Sequence, residues 1–434
     1  MLKNMLPAMA AMTLNLVYNL ADTFFIGQTH DDLQVAAVSL ATPVFMMFIS
    51  ISTIFGIGGT SVISRALGGG RDSYVKKVSA FCTWVGVAVG IIASALVLIF
   101  MDDLLRLMGA SSGTWNHTKS YLTIVMFSGP FIILTQIFAG LLRAEGQATK
   151  AMVGMMIGNI INIILDPIFI LVFKWDIAGA AIATVIGNII GVGYYILYFR
   201  RGKSSLSVNP RHFTVREKVS SSVLAIGVPH SLGSMLMSIS VIVMNGMMAN
   251  FGDLAIAAMG VAMKASMITG MLAVGMGQGV GPLLGYCVGA KNWKRYKEIL
   301  KFSLTFAGAF CVALCGICFI FAEPIVGLFL TEPDAFARGV QFTRILQSTA
   351  IFFGIFYCFN NAIQAMGAVM PSFIVNLSRQ GLIYIPMLFL LRYLLGVIGL
   401  VWAQPIADAL ALTLAIILHT ARFRRLSTKT EHNS

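Results

Sequence analysis

The sequence predicts an all-α polytopic membrane protein with twelve transmembrane helices in two six-helix lobes, and three observations predict it. Residues are 58% hydrophobic and only 11% charged, where a soluble domain carries about a quarter charged. Apolar runs near 20 residues recur from end to end, each long enough to cross a ~30 Å hydrocarbon core. The second half also repeats landmarks of the first at a spacing of about 221 residues.

The apolar runs read as spans at roughly 5–26, 34–64, 76–101, 118–143, 150–173, 176–199, 219–250, 254–287, 299–322, 340–366, 371–394 and 396–420. Backbone polar groups in lipid must be satisfied within the segment, so the spans are helices. Only Lys3 and Asn4 stand as polar residues ahead of the first run, and no cleavable signal peptide is expected.

Charge placement gives the topology. The net charge is +13, but its distribution argues against a nucleic-acid partner. One side collects Lys3, Arg65, Arg71, Lys76, Lys77, Arg143, Lys150, the basic 200–218 and 291–301 loops, and the tail. The other side has Arg106, Lys119, Lys174, Arg338, Arg344 and Arg392. Excess Lys and Arg marks the cytoplasmic face. Both termini are expected there, in a multi-pass protein of the inner (plasma) membrane. The six cysteines fall in or beside apolar spans, and Cys311, Cys315 and Cys318 share a helix with no His or acid, so free thiols are expected rather than a metal site.

The repeat is carried by aligned residues. Gly68 answers Gly289, Gly146 answers Gly367, Ala36–Ala37 answer Ala257–Ala258, and Pro7 answers Pro229. The units read as an N-terminal lobe, 1–203, a polar linker, 204–218, and a C-terminal lobe with a basic tail, 219–434. Six spans is an even number, so both units start on one side and a pseudo-two-fold axis runs along the membrane normal. Folds of this kind are commonly transporters.

The segments "LPAMAAMTLNLVYNLADTFFIG", "GGTSVISRALGGGR", "GLLRAEGQ" and "GVGPLLGYCVGAKN" resemble signature segments of the MATE (multidrug and toxic compound extrusion) transporters. "GLVWAQPIADAL" and "NLSRQGLIYIP" look most like its DinF-like bacterial branch. The resemblance implies a monomeric secondary antiporter, without cofactor, that exports organic cations against inward proton or sodium flow. Residue by residue, it carries the family's coupling positions onto Asp22, Asn162, Asp166 and Thr184. A late fourth-span Asn seen in some members is absent, since Ala139 and Gly140 stand there. The seventh- and tenth-span acids of the sodium-coupled NorM-like branch also have no counterpart.

The residues support the same cluster independently. Asn159, Asn162 and Asp166 recur at i, i+3, i+7 on one face of the fifth span, as do Asn15, Tyr18 and Asp22 on the first. Thr184 and Asn188 are spaced i, i+4 on the sixth. A charge at the bilayer centre costs at least ~2.5–3.5 kcal/mol, so such stripes turn inward and mark function by default. Pro167, directly after Asp166, cannot donate to the carbonyl of Ile163 and invites a bend. Met244 and Ile385 face the two acids in the repeat alignment, an asymmetry that points to a coupling site in the N-terminal lobe. A carboxyl out of water holds its proton more readily. The same oxygens can ligate Na⁺, so the cluster by itself leaves the ion open.

Lys264, Arg379 and Asp408 are second-tier residues, as fitting for a structural ion pair as for transport. His230 reads as a bonded helix-end histidine, and Glu145 as part of the cytoplasmic surface. The weighed alternatives are a sodium-coupled antiporter and a lipid-linked saccharide flippase, which would want a strongly cationic cavity. From another class comes an intramembrane aspartyl protease, whose Gly-x-Gly-Asp pattern is missing. No nucleotide loop, catalytic triad or metal motif appears, and no enzymatic activity is expected.

Overall fold

The computed structural model describes residues 1–28, 31–202, 204–330 and 332–431, all helices and short connections with no strand among them. The expected lobe boundary at 203 and the last residues of the tail lie outside this set. Two compact units form, one from Ala10–Gly227 and the other from Met1–Met9 with Val228–Ser434.

The first unit contains most of α1 (Leu2–Gly27), then α2 (Asp32–Gly68), α3 (Asp72–Ile99), the short α4 (Met101–Leu107), α5 (Ser112–Met126) and α6 (Gly129–Ala144). α7 (Ala148–Pro167) runs into a π turn, Ile168–Val172, and α8 (Asp176–Arg200) follows. Local chemistry sets these limits. Asp31 caps α2 by accepting from the Leu33 amide at 3.0 Å. A reciprocal Ser111–Thr114 capping box starts α5. α5 and α6 together make one span bent by 54°, with Pro130 in the first turn of α6 where its missing N–H costs no helical bond.

The second unit contains most of α9 (Val219–Met248), then α10 (Asp253–Gly289), α11 (Trp293–Ile320), α12 (Ala322–Gly327), α13 (Pro333–Ser348) and α14 (Ala350–Ala365). α15 (Val369–Leu377) enters a second π turn, Ser378–Leu382, and α16 (Tyr384–Glu431) completes the unit. α16 is broken at Gly396, whose φ of 63° and ψ of −135° are open to glycine alone at little cost. Another repeated feature is conformational: Gly146 and Gly367 have φ of 81° and 62°, ending α6 and α14 with the same left-handed residue.

Among the described residues, ten helices are long and apolar enough to cross a membrane, and the bent α5–α6 pair makes an eleventh. The break at Gly396 divides the longest of them, recovering the twelve spans. Large apolar side chains such as Ile91, Ile99, Ile242 and Leu410 lie exposed. An aqueous protein would hide such a surface, whereas lipid accepts it.

The ends of α1 and α9 are exchanged between the units. Met5 and Met9 belong to the core built by Ala273, Met276 and Val280 of α10. Val219 and Val223 belong instead to the core of α2, α3 and α6. Glycines admit these crossings: a Cβ on Gly279 would sit 2.7 Å from the Met5 Cα, and one on Gly275 would sit 2.8 Å from the Met9 Cα.

Candidate functional site

The fifth and sixth spans meet along a seam of glycines. A Cβ added to Gly158 would lie 2.9 Å from the Gly187 carbonyl oxygen, and one on Gly187 would lie 2.6 Å from the Gly158 oxygen. Gly191 approaches the Gly154 carbonyl in the same way. Small residues at this spacing let transmembrane backbones touch. Their contact brings Asn162, one turn beyond Gly158, against Thr184, one turn before Gly187.

There the Asn162 amide bridges two helices. With its nitrogen facing the acid, it donates to Asp166 Oδ2 at 2.9 Å. Its oxygen accepts from Thr184 Oγ1 at 3.2 Å and from the Thr184 backbone amide at 2.9 Å. That orientation satisfies both ends of the amide, which is the basis on which such groups are assigned. Asp166 is fully buried, Asn162 2% exposed and Asp22 8% exposed. Asp166 lies in the field of Asp22 from α1.

Among the described residues, no Lys or Arg pairs with either carboxyl. The ion pairs of this unit among the described residues are Lys77–Glu217 and Lys119–Asp102, both exposed and neither at the site. Asp22 Oδ1 and Asp166 Oδ1 are buried without a hydrogen-bond partner among the described residues. A buried carboxylate with an open oxygen and no cation is costly unless something titrates or binds it. No group of three or more His, Cys, Asp or Glu suited to a metal ion occurs among the described residues.

The structure sorts the sequence candidates. Asp22, Tyr18, Asn162, Asp166 and Thr184 converge, with Tyr18 aimed at Thr184 and in the field of both acids. Asn188 turns back on its own helix, donating to the Thr184 carbonyl at 3.0 Å and bracing that turn. Asn159 sits on the same face with its amide nitrogen buried and unpartnered. Asn15 contributes its carbonyl, which accepts from Asn19 at 2.7 Å, and no side-chain bond to the cluster. One member went unread: Tyr121 of α5 is buried, faces Thr184 and feels both acids. Its only sequence signal was a lone hydroxyl in an apolar run.

Second-tier residues separate. Arg379 Nε donates to Asp408 Oδ1 at 2.7 Å, and both are buried. Gln404 donates to the same oxygen at 3.0 Å. Lys264 takes no part; it is exposed, with its Nζ 5.4 Å from the centre of the Phe329 ring. His230 is bonded, its Nδ1 3.4 Å from Gln364 Nε2, but it lies inside α9, directly after Pro229, rather than at a helix end. Glu145 does not pair with Arg143. It receives Ser204 Oγ at 2.8 and 2.9 Å and the Ser205 amide, fastening the linker to the end of α6. Burial pushes its carboxyl above the usual glutamate range, and the bonds from Ser204 and Ser205 pull the other way.

Comparison with known proteins places this architecture. The MatE sequence profile matches residues 7–168 and again 229–390, one copy for each half. The chain belongs to the MatE family. It is 32% identical over 420 residues to the multidrug export protein MepA of Staphylococcus aureus (strain MSSA476), covering 96% of this chain and 93% of that one. It is 31% identical over 424 residues to MepA of Staphylococcus haemolyticus (strain JCSC1435), covering 97% and 93%. Among solved structures, an outward-facing multidrug resistance MATE family transporter of the MOP superfamily superimposes with a TM-score of 0.93 at 23% identity, over 98% of this chain and 96% of that one. A MOP superfamily transporter from Pyrococcus furiosus, described as having a binding pocket of reversed polarity, gives 0.92 at 23% identity over 98% and 95%. The fold is that of a MATE transporter, a multi-pass membrane protein and not an enzyme.

Proposed function

We propose that the chain exports organic cations in exchange for protons by alternating access, with Asp22 and Asp166 as the proton-carrying pair. It acts as a monomer in the inner membrane, with both termini cytoplasmic. Its multidrug character is argued from the likeness to the MepA export proteins along nearly the whole chain.

One observation carries the choice of ion: in the bridging orientation, the Asn162 oxygen is already engaged. The Asn162 oxygen accepts twice from Thr184. Oδ1 of Asp22 and Oδ1 of Asp166 are buried and have no hydrogen-bond partner among the described residues. A proton needs one such oxygen, whereas Na⁺ needs several oxygens at once, and the Asn162 amide oxygen would have to give up its bonds from Thr184 to join them. Proton uptake on one side weakens cation binding at the same acids, and proton release on the other restores it.

Purified protein in liposomes loaded with a fluorescent organic cation tests this. An imposed pH gradient is expected to drive efflux, and Asp22→Asn or Asp166→Asn to abolish it. Efflux driven by Na⁺ alone would retain the site and replace the ion. Efflux indifferent to both substitutions would remove the site.

A further inference from the structure

The second unit contains a buried cation site that the chain fills with its own arginine. The Arg379 guanidinium carbon stands 4.0 Å from the centre of the Phe353 ring, 5.3 Å from that of Phe356 and 5.6 Å from that of Tyr357. Asp408 closes the cage from α16, held at 2.7 Å by Arg379 and at 3.0 Å by Gln404. Aromatic faces around a carboxylate, out of water, are the chemistry that recognises a delocalised or quaternary organic cation. We propose that this cage is an organic-cation subsite in which Arg379 stands in for the ligand and must withdraw before a ligand enters.

Two features separate this from a structural ion pair. The contact uses Nε alone, so the two-bond fork that makes arginine–carboxylate pairs rigid is not closed. Arg379 also lies in the π turn Ser378–Leu382. A π turn holds an extra residue and recurs at functional sites, and its relaxation to α geometry re-aims the side chain it carries. Phe353 and Tyr357 retain partial exposure, so the cage is not sealed.

The subsite goes beyond the acids of the first unit, and its test silences them. Equilibrium binding of tetraphenylphosphonium is measured on detergent-purified protein carrying Asp22→Asn and Asp166→Asn. Adding Arg379→Gln is expected to tighten binding tenfold or more. Adding Asp408→Asn as well should erase that gain. No gain from Arg379→Gln in protein that elutes as one species and unfolds in one cooperative transition would overturn the proposal. If that variant does not fold, Arg379→Met keeps a long side chain without the charge, and here too a gain is expected and its absence is decisive. Loss of proton-driven efflux at the first site would leave this result unaffected, so the two readings fail separately.

Discussion

Replacing Gly187 by alanine tests whether the glycine seam builds the site. A Cβ there would sit 2.6 Å from the Gly158 carbonyl oxygen and 3.3 Å from the Asn162 Cβ. Carbon rarely approaches a carbonyl oxygen closer than about 3.3 Å. The obstructing oxygen is backbone, so α7 and α8 must part by roughly 0.7 Å. The Asn162–Thr184 bonds, now 3.2 and 2.9 Å, would then lengthen toward or past the ~3.5 Å beyond which a hydrogen bond is lost. Two buried groups would lose partners at about 1–3 kcal/mol each, and overpacking costs a similar amount. The expected outcome is a thermal midpoint lowered by several degrees and proton-driven dye efflux reduced about tenfold or more. The assays are unfolding in detergent and efflux from liposomes. An unchanged midpoint with wild-type efflux would refute the claim that this contact positions Asn162 and Asp166.

Two further outcomes follow from single contacts. Tyr121→Phe removes the hydroxyl facing Thr184 and the acids; efflux should fall severalfold while expression and unfolding remain near wild type, because the ring keeps its packing. Glu145→Ala releases Ser204 and Ser205; the 204–218 linker should be cut faster in limited proteolysis, with the spans staying intact.

Hydropathy and repetition made much of the fold legible because lipid imposes one simple demand, a long apolar helix, on every span. Breaks within spans escape that demand. The 54° bend near Ser128 and the interruption at Gly396 leave hydropathy untouched, since both sides of each break remain apolar. The exchange of residues 1–9 and 219–227 is equally silent, because a methionine or valine buries as well in either core. At the site, acids and amides announced themselves by being expensive in lipid. Tyr121 did not, because one hydroxyl on a large apolar ring costs little. The glycine seam stood in the sequence at 154, 158, 187 and 191, yet among 42 glycines its spacing carries no mark until two helices are seen to meet.

The two units handle buried charge in opposite ways. In the first, Asp22 and Asp166 each have an oxygen that no described group satisfies. In the second, Asp408 is answered by Arg379, whose charge also rests on three aromatic rings. Both arrangements sit beside π turns, Ile168–Val172 and Ser378–Leu382, in the fifth span of their repeats. An unpaired acid requires a mobile partner such as a proton, while a paired one can exchange its internal cation for an external one. A repeat that merely glued helices together would have no reason to place an uncompensated charge at one π turn and a compensated charge at the other. The difference is what a transporter requires if it carries two unlike cations through one duplicated scaffold.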